Sequence, residues 1–183
     1  MNCWKSINFR KEYKPSRLLL LSMSVMIMTF IVSYLGFSLY YDNVRYAELG
    51  MIDTMLFLLL LFPVHTLLHL IPLQFVGVRM QWNIKSSKKK KRSPLLALRF
   101  TKPVGRIFYI NAMLFPTFCI SCVSIVGAFT FPSFMLYFVL MFSFNAGLAV
   151  YDFLYIKQLL GAPRQCFIEQ NQNGMDILLK QPI

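Results

Sequence analysis

The sequence predicts an all-α membrane protein of about four transmembrane helices with a small cytoplasmic β-hairpin, and three observations predict it. Of 183 residues, 57% are apolar and only 14% are charged, against roughly 25% charged in soluble domains. Four apolar runs, residues 18–41, 51–72, 108–129 and 135–154, reach the length of about 20 residues that crosses a hydrocarbon core. The 19 Lys and Arg are unevenly placed: Lys5, Arg10, Lys11, Lys14 and Arg17 precede the first run, ten fall from Arg79 to Arg106, and Lys157, Arg164 and Lys180 follow the fourth run. Arg45 alone separates the first two runs. Cytoplasmic connections carry the excess of basic residues, so both termini and the central loop are expected in the cytoplasm. Little is left for a soluble domain, and residues 1–183 are expected to form one integral membrane domain.

Each element follows from local chemistry. The first run comes after basic residues as a signal peptide would, but at about 24 residues it exceeds the 7 to 15 of a cleavable hydrophobic core, and it is expected to stay as a span. Residues 42–50 make a short external connection. The second run holds Pro63 and Pro72, which remove backbone donors and should bend or end that helix near His65 and His69. In the cytoplasmic loop, residues 77–106, Val78, Met80 and Trp82 alternate with Arg79, Gln81 and Asn83, the period of a short strand. Residues 94–100 are apolar again and suggest a second strand or a membrane-lying segment. The third and fourth runs are joined by a tight external turn at residues 130–133, which include Pro132. In the tail, residues 155–183, two apolar-rich stretches flank residues 171–174, where the Asn173 and Gly174 pair is a strong turn signal that predicts the hairpin.

The net charge of +12 would suit a nucleic acid, yet its distribution is that of the positive-inside pattern, and no nucleic-acid partner is expected. Lys88, Lys89, Lys90, Lys91 and Arg92 form the densest cluster. Each basic residue near an anionic leaflet gains about 1 kcal/mol, so this cluster is expected to lie on the inner face of the bilayer. Cys3 and Cys166 fall on the reducing side and form no disulfide framework. Cys119 and Cys122 have the C-x-x-C spacing but sit mid-span, where they are expected to be small packing residues, with a metal-ligand pair as the alternative.

The chemistry centres on the two histidines, His65 and His69. Imidazoles at i and i+4 project from one helical face and can hold one metal ion, and ionisable groups inside a span point to function. A third ligand is available in Asp152. By the topology above, the second and fourth runs both cross from outside to inside; at 1.5 Å per residue His65 lies roughly 10 Å and His69 about 5 Å from the inner end, a level that Asp152 shares. Cys119, about 17 Å from the inner end, is deeper. Two His and one carboxylate make a zinc shell with a fourth position left for water, and Asn145, seven residues before Asp152, could hydrogen-bond a ligand from the same helix face. The competing reading is a polar cluster that only hydrogen-bonds across the bundle, at about 0.6 to 2 kcal/mol per contact. Asp53, at the external mouth of the second run, is expected to be solvated.

Three stretches, Pro63-Val-His-Thr-Leu-Leu-His-Leu70, Arg106-Ile-Phe-Tyr-Ile-Asn-Ala-Met-Leu-Phe-Pro116, and Asn145-Ala-Gly-Leu-Ala-Val-Tyr-Asp152 with Gly161-Ala-Pro-Arg-Gln-Cys-Phe-Ile-Glu169, resemble the family described as "Putative zincin peptidase". These are small bacterial membrane proteins classed as a domain of unknown function and similar in plan to minimal site-2 proteases. The resemblance implies a bacterial cytoplasmic membrane and a zinc held by His65, His69 and Asp152, with Asn145 matching the family's Asn upstream of the Asp. The family's general-base Glu does not map: Thr66 stands there, and a hydroxyl does not take up a proton near neutral pH as a carboxylate does.

Three functions follow. The first is a zinc-binding but degenerate zincin that recognises a transmembrane segment of another membrane protein, as a binding or regulatory module with no catalytic residue at Thr66. The second is an active intramembrane zinc metallopeptidase that activates water by zinc alone or with a carboxylate from elsewhere, Glu169 being the nearest unassigned one in the tail. The third is a structural or transporter-associated subunit without metal. The topology is testable first. Cysteines introduced at residues 86–91 should be protected from impermeant thiol reagents in intact cells and react after permeabilisation; labelling from outside would invert the topology.

Overall fold

A computed structural model describes residues 2–7, 13–41, 45–75, 103–163, 165–171 and 174–179. The basic cluster from Lys88 to Arg92 and the strand-like segments at residues 78–83 and 94–100 lie outside the described residues. Among those described, helix dominates, and four helices are long and apolar enough to cross a membrane.

Helix α1 (Pro15–Tyr40) opens with a proline at its first position, where the missing N–H costs nothing because that donor has no helical partner. Helix α2 (Met51–Leu68) carries Asp53 in its first turn, where a negative charge suits the helix dipole. It absorbs Pro63 and stops at His69, and the short helix α3 (Leu70–Phe75) continues after it. The stop follows from Pro72, which has no N–H for the carbonyl of Leu68 and whose ring crowds that oxygen. The interruption expected near the histidines therefore falls on one of them. Helix α4 (Arg106–Thr130) and helix α5 (Met135–Leu160) are joined by a single 3₁₀ turn, Pro132–Phe134. Helices α1, α4 and α5 extend past at least one end of the apolar runs that predicted them, because backbone hydrogen bonding continues into polar flanks, whereas α2 ends before its run does.

The sheet is larger than the predicted hairpin. Strand β3 (Cys166–Asn171) and strand β4 (Gly174–Leu179) pair antiparallel, as the turn signal required. Asn171 pairs with Gly174, so the glycine of the turn signal lies on a strand, and Asn173 lies outside the described residues. Two strands escaped prediction: β1 (Asn2–Ile7) pairs with β4, and β2 (Val104–Gly105) pairs with β3, giving the order β1-β4-β3-β2. Neither carries a clean alternation; one has a bulge between Cys3 and Lys5, and the other has only two residues. Tertiary context recruits both.

These strands precede α1, precede α4 and follow α5, so the sheet sits at one end of the bundle. Its inner face, Ile7, Val104, Ile168, Met175 and Ile177, packs in one buried cluster with Leu73 of α3, Tyr109 and Ala112 of α4 and Leu159 of α5. Arg106 fastens the same end by donating to the carbonyls of Ala162 at 2.7 Å and Leu160 at 3.3 Å, carbonyls left without helical donors at the C-terminus of α5. Cys166 is buried there, and burial pushes its thiol pKa up, against the opposing pull of Arg106. At the far end the connection after α1 is held by Ala47 N–H donating to Ser133 O at 2.8 Å, and by the Tyr137 hydroxyl, which accepts from Leu49 N–H at 2.7 Å and donates to Ala47 O at 3.1 Å.

Helix α5 is central and buries residues on several sides, whereas α1 and α2 expose most of their apolar side chains. The α1–α5 crossing is set by Gly147: a Cβ there would stand 3.2 Å from Met26 Cβ and 3.3 Å from Ser22 O, and the Ser22 hydroxyl donates to Gly147 O at 2.6 Å. Small residues that bring backbones close take over, between helices in lipid, the part hydrophobic burial plays in water. Gly147→Leu should force α1 away and destabilise the bundle by about 1 to 3 kcal/mol, whereas Ser22→Ala should cost roughly 0.6 kcal/mol. Unfolding of both variants in mixed micelles reads the order directly.

Candidate metal centre

The three residues singled out in sequence as ligands meet. His65 on α2, His69 at the end of α2 and Asp152 on α5 are buried, with 6%, 7% and 9% of their surfaces exposed, and one ligand atom from each lies within 4.8 Å of the others. His65 Nε2 stands 3.0 Å from Asp152 Oδ2, and His69 Nε2 stands 3.5 Å from Asp152 Oδ1. The rings are 5.1 Å apart, nearly perpendicular, as side chains one turn apart on a single helix face permit.

The proton positions follow from the partners of the other ring nitrogens. His69 Nδ1 lies 2.8 Å from the backbone carbonyl of Ala112; a carbonyl only accepts, so Nδ1 carries the hydrogen. Asn145 Nδ2 donates to Thr117 O at 3.1 Å and to Ser121 Oγ at 3.2 Å, and this fixes the orientation of the amide. Its Oδ1 therefore accepts, at 3.0 Å, from His65 Nδ1. Both rings are held as Nδ1–H donors, and both Nε2 atoms face the carboxylate.

A lone pair facing a carboxylate oxygen at this range needs positive charge between them, either a proton on the ring or a cation. The donor set fits a zinc-like ion. Ligands about 2.1 Å from a tetrahedral ion stand about 3.4 Å apart, and the imidazole-to-carboxylate separations here are 3.0 and 3.5 Å. Hydrogen bonds at Nδ1 to a carbonyl or a side-chain amide are the outer support that metal-bound histidines ordinarily have.

The remaining expectations sort by position. Asn145 lies where it was expected, buried beside His65. Thr66 is partly buried and its hydroxyl donates back to Phe62 O at 2.9 Å, within its own helix. Cys119 and Cys122 are not part of the three-residue group; Cys119 is half-buried and Cys122 exposed, both free thiols on α4. Asp53 is exposed in the first turn of α2. Glu169 is exposed on β3, opposite Asp176 and on the face away from the buried Ile168 and Ile177, so it is not a base for this centre.

Sequence reading missed the support from α4. Ala112 contributes only a backbone oxygen, which no residue-type pattern marks, and Thr117 and Ser121 look like ordinary small polar residues of a span. Tyr109 is buried in the same cluster as Ala112, with the partly buried Tyr155 packed against that cluster.

A helical bundle with two imidazoles and a carboxylate converging from different helices has a buried group that could hold a metal ion between apolar helices. Comparison with known families names it further: a model described as "Putative zincin peptidase" matches residues 58–167, more than half of the chain and a span that includes His65, His69, Asn145 and Asp152. The chain belongs to this family, which implies zinc as the ion for the group. No curated protein and no solved structure gives a significant match.

Single alanine substitutions at His65, His69 and Asp152 should each abolish copurifying zinc, measured by elemental analysis of protein in detergent. Asn145→Ala should retain a site weakened by about tenfold or more, and Cys119→Ala should bind as wild type does. Loss of metal in the cysteine variant with retention in the histidine variants would transfer the site to α4.

Proposed function

We propose that the protein is a multi-span membrane protein that binds zinc through His65, His69 and Asp152 and uses the centre to recognise a transmembrane segment of a partner without cutting it. Four helices long and apolar enough to span support the membrane reading. The sheet supports an even number of crossings, because it draws the N-terminal strand, the segment before α4 and the C-terminal tail to one end of the bundle. On the distribution of basic residues that end is cytoplasmic, in a bacterial cell membrane, with the Lys88 to Arg92 cluster against the anionic leaflet.

The observation that carries the non-cleaving reading is at position 66. Zinc, when bound, supplies Lewis acidity to whatever occupies its remaining position. Peptide hydrolysis also needs a group that takes a proton from the attacking water and returns one to the leaving amine. In zincins the Glu after the first histidine performs both transfers. Thr66 has no titratable group, and its hydroxyl is engaged with Phe62 O. Asp152, the one carboxylate in the buried group among the described residues, is occupied by both imidazoles. The chain thus retains groups that bind and orient while lacking the one that moves protons.

Loss of a general base removes about 10² to 10⁴ in rate. Wild type, Thr66→Glu and His65→Ala should be compared on membrane-embedded model substrates. The expected result is no cleavage above background by wild type and by His65→Ala, and measurable cleavage by Thr66→Glu. Cleavage by wild type that disappears in His65→Ala would establish an active peptidase instead.

A further inference from the structure

Helix α4 runs unbroken from Arg106 to Thr130 with Pro116 inside it, and Pro116 is buried. A proline within a helix has no N–H for the carbonyl four residues earlier, which in α4 is that of Ala112. This is the oxygen that accepts the Nδ1–H of His69 at 2.8 Å. A helical carbonyl with its ordinary donor in place is a poorer and more crowded acceptor. Without that donor, the oxygen of a residue buried in the core beneath the site needs another partner, since a buried polar group left unpaired is costly.

We propose that Pro116 is a positioning residue for the metal centre: by withholding a helical donor from Ala112 it reserves that carbonyl for His69, which keeps the ring's hydrogen on Nδ1 and turns Nε2 toward Asp152. The proposal rests on the reading of His65, His69 and Asp152 as ligands only where metal affinity is concerned; the hydrogen bond itself stands apart from it. The two histidines are served differently. At Nδ1, His65 is oriented by a side chain, Asn145, that is itself anchored to Thr117 O, whereas Nδ1 of His69 meets a backbone carbonyl, and Ala112 has no side-chain group whose substitution could remove the bond. Pro116 is the position through which sequence controls it.

Pro116→Ala restores an N–H to the helix, where alanine is well tolerated, and the restored donor competes with His69 for Ala112 O. The experiment follows the imidazole Nδ1–H protons of ¹⁵N-histidine-labelled protein in micelles, with and without zinc, alongside zinc affinity by chelator competition. Wild type should give a downfield, slowly exchanging Nδ1–H at both rings. In Pro116→Ala the His69 proton should move upfield and exchange faster while that of His65 stays in place, and zinc affinity should fall by about tenfold or more. An unprotected His69 Nδ1–H in wild type would overturn the proposal, whatever the variant does. So would a variant with an unchanged His69 proton and an affinity within about twofold of wild type, or an equal change at both rings, which marks general loosening of the bundle. Wild type that takes up no zinc would remove the metal reading, and the metal-free spectra would still decide the role of Pro116.

Discussion

The two histidines give helix α2 its directed contacts with the rest of the bundle. Most of its leucines face outward, and its apolar packing is one cluster in which Leu61, with Phe57, Leu58 and Leu68, meets Ile120 and Met141. Hydrogen bonds add to it: His65 to Asn145 and Asp152 on α5, and His69 to Ala112 on α4 and to Asp152. In lipid, where neighbouring hydrocarbon competes equally with a leucine for its surroundings, directed polar contacts of this kind decide which helix lies where. The same bonds that define the chemistry define the architecture.

That double role explains why the site was legible in sequence and its scaffold was not. Two histidines at i and i+4 inside an apolar run, and an Asp with an Asn seven residues earlier in another, are rare enough in membrane segments for residue type alone to single them out. The four helices were legible for the related reason that apolar length is a direct readout of the surrounding solvent. Strands β1 and β2 were not, because their pairing is imposed by β3 and β4 across long stretches of chain and leaves little trace in the strands themselves. The Ala112 carbonyl was hidden more deeply, since backbone atoms are common to every residue.

Thr66 separates two properties that zincins ordinarily combine. Binding a cation asks for donors with fixed lone pairs, and the chain supplies them with support at each Nδ1 atom. Hydrolysis asks in addition for a group that gains and loses protons near neutral pH, and the residue after His65 cannot. On the proposed reading, a site with the first property and without the second binds and orients without cutting.

The sheet carries a consequence for the order of assembly. Ile7 lies opposite Met175, so β1 waits for β4 before it can pair. Closing so long a loop is entropically slow, and all four long helices intervene. The helices can form one after another, but the layer beneath the candidate metal centre forms only once β4 has been made. Until then the ends of α4 and α5 that carry Tyr109, Ala112 and Leu159 lack their cover. Synthesis of β4 thus acts as a checkpoint: a chain that stops before Gly174 has histidines in place and an incomplete floor under them.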